Sequence, residues 1–150
     1  MPISIREFNK KDKEVFIAMA QEFYSSDFVC HSIPKKYIEK TFDTCVAKSP
    51  YAKGFILEYN GIAAGYALLS FTYSMEAGGF VVLLEDLYVC AEFRGKGIIG
   101  KFFEYLKKEY DKKTARYRLE VTKSNRHAIE IYKHYRFTEM EYLCMCRELN

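Results

Sequence analysis

Phe80-Val81-Val82-Leu83-Leu84-Glu85-Asp86-Leu87-Tyr88-Val89 is apolar on both faces except where two acids interrupt it. A strand covered on both sides reads this way, so the run is expected at the centre of a sheet. After four intervening residues the chain reads Arg94-Gly95-Lys96-Gly97-Ile98-Ile99-Gly100 and enters a segment with Ile98, Ile99, Phe102, Leu106 and Tyr110 at helical spacing. A buried strand, a basic glycine turn and a helix entry, in that order, make an arrangement suited to binding phosphate. The glycines let backbone N–H groups converge, the helix dipole adds positive potential, and Arg94 and Lys96 add charge. Taken alone, the same turn also serves as a plain entry into a helix.

Upstream, Ile3, Ile5 and Phe8 mark a short strand. A helix capped by Asn9, with Asp12 three residues on, then buries Phe16, Met19, Ala20 and Phe23. A second helix follows Ser32 with Pro34 in its first turn, and its inward face carries Tyr37, Ile38, Thr41, Phe42, Cys45 and Val46. Asn60-Gly61 joins residues 54–59 and 62–73 as a hairpin, and Glu76-Ala77-Gly78-Gly79 turns the chain into the central strand. Downstream, residues 116–122 alternate with Tyr117, Leu119 and Val121 on one face. A fourth helix starting near Ser124 or Asn125 presents Ala128, Ile131, Tyr132 and Tyr135, and residues 137–149 are expected as one or two closing strands. The pattern is mixed α/β: a largely antiparallel first half, then one strand-helix-strand-helix unit.

The 150 residues suit one domain, with no repeat and no linker. The net charge of +3 is small and the basic residues are scattered, which disfavours nucleic acid. No window is apolar enough to cross a membrane, and the N-terminus lacks the apolar run of a signal peptide. Cys30, Cys45, Cys90, Cys144 and Cys146 are odd in number and lack zinc-knuckle spacing, so they read as packed thiols in a reduced, cytoplasmic protein with no metal. The last strands and the aromatic hairpins allow a homodimer across a two-fold axis.

Two motifs together carry a family resemblance. Glu85-Asp86-Leu87-Tyr88-Val89 with Arg94-Gly95-Lys96-Gly97-Ile98, and downstream Asn125-Arg126-His127-Ala128-Ile129-Glu130-Ile131-Tyr132, resemble the acetyl-CoA and Asn-x-x-Ala-x-x-x-Tyr segments of the GNAT N-acetyltransferases. The resemblance covers essentially the whole chain. It implies a mixed, mostly antiparallel twisted sheet flanked by about four helices, with a V-shaped opening between two central parallel strands. Acetyl-CoA would lie in that opening as acyl donor. The backbone of Leu87, Tyr88 and Val89 would hold the pantetheine arm. Arg94, Gly95, Lys96, Gly97, Ile98, Ile99 and Gly100 would hold the pyrophosphate, and Asn125 would approach from the fourth helix. The implied reaction is direct attack of a primary amine on the thioester through a tetrahedral intermediate. Glu85 would take the amine proton through water, and Tyr132 would protonate the leaving thiolate.

Other readings of the same residues stay open. Tyr132 also fits ordinary core packing, and Glu85 and Asp86 also fit a bulge where the strand splays. Ile99 stands where the family has Gly or Ala, so it crowds the pyrophosphate or packs beneath the helix. Arg136 stands where the family often has a helix-ending Gly; a left-handed Arg is strained, so the helix is expected to end differently. For the acceptor, Asp27 is a candidate to hold an ammonium, with Tyr24, Tyr73 and His31 nearby, while His127 and His134 read as surface. A polyamine is one small-molecule acceptor that fits; a peptide or protein amine is another. The competing reading is a non-catalytic module that senses acyl-CoA.

Overall fold

A computed structural model describes residues 2–149. Among them the chain forms β1 (Ile3–Glu7), α1 (Lys13–Tyr24), α2 (Lys35–Val46), β2 (Ala52–Tyr59), β3 (Ile62–Ser74), β4 (Gly79–Val89), α3 (Ile98–Tyr110), β5 (Arg116–Leu119) and α4 (Arg126–His134). The strands lie in the order β1-β2-β3-β4-β5, antiparallel throughout except for the parallel pair β4 and β5. The expected mixed sheet with four flanking helices is what the chain adopts. No described helix is long and apolar enough to cross a membrane.

Local chemistry accounts for the element boundaries. The Asn9 side chain accepts from the Lys11 amide, while Asp12 accepts from the Asn9 amide at 2.7 Å, so the turn into α1 is capped reciprocally. Asn60 and Gly61 both take positive φ (50° and 77°), the backbone that a two-residue hairpin needs. The helix α4 ends on Arg136 at φ 70°, with Phe137 N–H bonded to the Tyr132 carbonyl and Arg136 N–H to that of Lys133. This is the usual left-handed helix ending, completed by contact between the Phe137 and Tyr132 rings at 5.9 Å. The expectation of a different ending is corrected: the paired bonds and the ring contact hold Arg136 in a conformation that glycine adopts more readily.

The sheet is the middle layer of three. Phe55, Leu57, Leu69, Val82, Leu84 and Val89 pack with Phe102 and Leu106 on the α3 side. Ile56, Tyr66 and Tyr88 pack with Phe16, Met19, Ile38 and Phe42 on the α1–α2 side. One irregularity sets the side-chain directions along β4. Leu68 pairs with Asp86 while its neighbour Leu69 pairs with Leu84, which leaves Glu85 as an extra residue on β4. The bulge reverses the alternation. Val82 and Leu84 face α3, yet Asp86 and Tyr88 face the opposite layer, and Leu87 and Val89 return to the α3 side.

The closing strands are a second correction. Residues 138–149 form no strand, and none of their backbone groups makes a backbone hydrogen bond among the described residues. The expected strand at 116–122 is also shorter, because pairing with β4 stops at Leu84 and Leu119. Beyond that point the two parallel strands separate, and this separation is the V-shaped opening.

Candidate active site

A cavity of about 480 Å³ occupies the opening. The strand β4 contributes Glu85, Leu87, Tyr88 and Val89; the glycine turn and first turn of α3 contribute Arg94, Gly95, Gly97, Ile98, Ile99 and Gly100; and α4 contributes Asn125 and Tyr132. Three segments far apart in sequence thus meet on one space.

The cationic end is built by the turn. Gly95 and Gly97 hold φ of 77° and 84°, which an L side chain rarely adopts, and nothing lies within 4 Å of where a Cβ would stand on either. Their requirement is conformational. Gly97 caps α3 with no side-chain hydrogen bond to the first turn, so the opening amides of a 13-residue helix are available to an anion. Arg94 is braced: its Nε donates to the Val89 carbonyl at 2.9 Å, and its guanidinium lies over the rings of Phe28 and Tyr88 at 5.5 and 5.8 Å. Ile99 both borders the cavity and packs against the α3-side core. The Lys96 side chain does not line the cavity, and its Nζ lies 5.5 Å over the Tyr59 ring.

The two candidate catalytic groups share the cavity. Glu85, aimed by the bulge, is exposed, and its carboxylate accepts from Ser70 Oγ at 2.5 Å. Asp86, one residue on, is buried and accepts from Tyr66 Oη at 2.8 Å and Tyr24 Oη at 2.9 Å. Burial raises the Asp86 pKa above the ordinary carboxylate value, against the pull of the two tyrosine hydrogen bonds. Burial likewise raises the pKa of Tyr132, whose ring packs against Phe103 and Phe137. Asn125 lines the cavity but also spends its side-chain oxygen on the Ala128 amide, capping α4 at 3.3 Å.

The four expected acceptor residues do not line this cavity. Tyr24 is tied to Asp86 behind β4. Asp27 and His31 are exposed on the loop between α1 and α2. Tyr73 is 75% exposed, and the register sets it opposite Phe80, at the other end of β4 from Tyr88. From the α1–α2 side the wall is instead made by Phe23 and Phe28. Phe28 is brought there by stacking on Arg94, a contact with no sequence signature. Glu120 and Val121, just past β5, also line the cavity, as does His127, which the sequence had placed on the outer surface of α4. Glu22 accepts a hydrogen bond from the Tyr88 hydroxyl. Among the described residues no group of three His, Cys, Asp or Glu side chains is placed to hold a metal ion.

Residues 16–137 match the model of the Acetyltransferase (GNAT) family. The chain belongs to the GNAT acetyltransferase family. A thialysine N-epsilon-acetyltransferase of Sus scrofa is 39% identical over 70 residues, which is 46% of this chain and 41% of that protein. The Bos taurus protein of the same name matches to the same extent. The matched stretch therefore spans about two fifths of these relatives' length. Among solved structures, a possible acetyltransferase from Clostridium difficile 630 superposes with a TM-score of 0.84 at 20% identity, covering 100% of this chain and 99% of that one. The aminoglycoside N-acetyltransferase AAC(6')-Iy in complex with CoA superposes with a TM-score of 0.79 at 18% identity, covering 99% and 95%. These two likenesses show that the GNAT fold spans the described chain.

Proposed function

We propose that this GNAT protein transfers an acetyl group from acetyl-CoA to a primary amine. One observation carries the reading: a single cavity is lined at once by the open first turn of α3, the stretch of β4 beyond its pairing with β5, and the side chains of Glu85 and Tyr132. The residues fit acetyl-CoA because the anion site and the strand edge lie on the same space. The amides at the start of α3 and the Arg94 guanidinium would hold the pyrophosphate. The β4 backbone at Leu87, Tyr88 and Val89 would receive the pantetheine arm, with Asn125 on the opposite wall. Bound there, acetyl-CoA supplies the activated acyl carbonyl.

The chain's own residues then handle two protons. An aliphatic amine of pKa about 10.4 arrives charged and must lose one before it can attack. Glu85, open to the cavity and to water, accepts that proton. Tyr132, kept protonated by its burial, has one to give the departing thiolate. Glu85 and Glu120 on the wall also make the cavity attractive to a cationic acceptor. The mammalian relatives named as thialysine N-epsilon-acetyltransferases favour a small-molecule amine over a protein amine.

The test is thiol release from acetyl-CoA across a panel of amines, including polyamines and amino acids with side-chain amines. Turnover on any of them supports the proposal. Tight binding of acetyl-CoA with no turnover on any amine would favour the sensor reading instead.

A further inference from the structure

The two phenylalanine rings that wall the cavity from the α1–α2 side are held in different ways. Phe23 belongs to α1, and its ring packs on that of Tyr88 at 5.5 Å. Tyr88 is itself fixed, because it is buried and its hydroxyl donates to Glu22, also on α1. Phe28 stands past the end of α1, on the loop that leads to α2. It is 39% exposed, and its ring meets the Arg94 guanidinium at 5.5 Å. The hydrogen bonds of this loop stay local: Phe28 N–H donates to Ser26 Oγ at 3.2 Å, and Ser26 Oγ donates to the Phe23 carbonyl at 2.6 Å. Among the described residues none runs from residues 27–33 to β4 or to the glycine turn. Phe23 is therefore a fixed wall, while Phe28 rests on one arginine.

That arginine still has an edge to offer. Nε donates to the Val89 carbonyl, which ties the side chain to the end of β4, and the face of the guanidinium serves the Phe28 and Tyr88 rings. Its two terminal nitrogens make no hydrogen bond or ion pair among the described residues. Arg94 also borders the cavity beside the open first turn of α3. A planar fork can bind an anion along its edge while it presents a face to an aromatic ring. With the terminal nitrogens unpaired, the guanidinium has one polar anchor. An anion gives it a second, so the plane on which Phe28 rests turns less.

We propose that Phe28 couples the two substrates: filling the anion site at Arg94 and α3 secures Phe28, and Phe28 completes the wall against which the acceptor's carbon chain packs. The inference rests on acetyl-CoA and an amine sharing this cavity. Coupling of this kind is reciprocal, so the acceptor tightens the donor by the same factor that the donor tightens the acceptor. One cation–ring contact at a partly exposed site sets that factor at roughly three- to fivefold.

The chain contains no Trp, so Phe28→Trp places a sole indole at this position. Adding 3′-phospho-ADP, which has the pyrophosphate of CoA but not the arm that runs along β4, should raise the anisotropy of its emission and shift it to the blue. An indole that does not respond, while the thermal shift shows the anion bound, would overturn the coupling. This measurement needs no acceptor, so it decides the inference even where no amine turns over and the transferase reading fails. With an amine from the panel, calorimetry should find CoA binding wild type about three- to fivefold more tightly when the amine is present. Phe28→Tyr keeps the ring and should keep that factor. Phe28→Leu keeps an apolar side chain without the ring; it should lose the factor and raise the KM of the amine by as much, with kcat within about twofold of wild type. Equal coupling in wild type and Phe28→Leu would overturn the role given to the contact with Arg94.

Discussion

Tyr66 Oη donates a 2.8 Å hydrogen bond to Asp86 at the point where the β4 bulge has turned that carboxylate away from the cavity. The bulge thus divides two adjacent acids: Glu85 is left open to the cavity, and Asp86 is held in the α1–α2 layer. Burial raises the Asp86 pKa, so its contribution to stability is fully present below the unfolded value and is lost as pH rises through the folded one. Urea unfolding of wild type and Asp86→Asn between about pH 4 and pH 7 should show the difference moving toward the variant as pH rises. A pH-independent difference would mean that Asp86 titrates alike in the folded and unfolded chain.

Tyr132→Phe should leave the acetyl-CoA thermal shift intact and lower kcat by roughly 10²-fold or more, the usual worth of a positioned acid. Glu85→Gln should lower kcat/KM at neutral pH, and the loss should shrink as pH rises toward the amine's own pKa of about 10.4, where the acceptor arrives already neutral. Steady-state kinetics across pH check both. Undiminished turnover in Tyr132→Phe would return that ring to core packing with Phe103 and Phe137.

Gly97→Val should abolish cofactor binding with less damage to the fold, because the strain is local to a φ of 84° at the mouth of α3. Wild type at about a hundred times its Kd of acetyl-CoA should gain about 2.7 kcal/mol, and ATP should not reproduce the shift. The variant should show no shift with either.

Arg136→Gly should stabilise by about 1 kcal/mol, since it removes the left-handed strain and keeps the paired bonds that end α4. Differential scanning calorimetry should place its Tm roughly 3 °C above wild type.

Asp12→Ala should cost roughly 2–3 kcal/mol. It removes the partner of the Arg6 guanidinium at 2.8 and 3.0 Å and opens the cap before α1. Against the cost of burial, Arg6 holds the Asp12 pKa below its ordinary value, so this stability is present above the unfolded pKa and lost as pH falls through the folded one. Chemical denaturation at pH 7 and in mild acid should show the gap between wild type and Asp12→Ala narrowing in acid.

The sequence alone determined the order of elements, the hairpin at Asn60-Gly61, the cap at Asn9 and the layout of β4, glycine turn and α3. Each of these rests on local periodicity or on a residue whose backbone preference is intrinsic, and such signals survive in one dimension. It also set Glu85, Arg94, Asn125 and Tyr132 at the spacing that the fold gathers round one cavity. Tertiary structure decided the rest. Strand alternation already separates Glu85 from Asp86, but the bulge that puts Asp86 on the α1–α2 side rather than with Val82 and Leu84 depends on register against Leu68 and Leu69, which no local pattern encodes. Phe28 lines the cavity with Arg94 against its ring, a contact between residues far apart in sequence, and Tyr73 misses it because the register sets it opposite Phe80, at the other end of β4. The arm at 138–149 shows the same limit from the other side. Its apolar run reads as a strand, but a strand exists only where another backbone accepts its hydrogen bonds, and among the described residues none does.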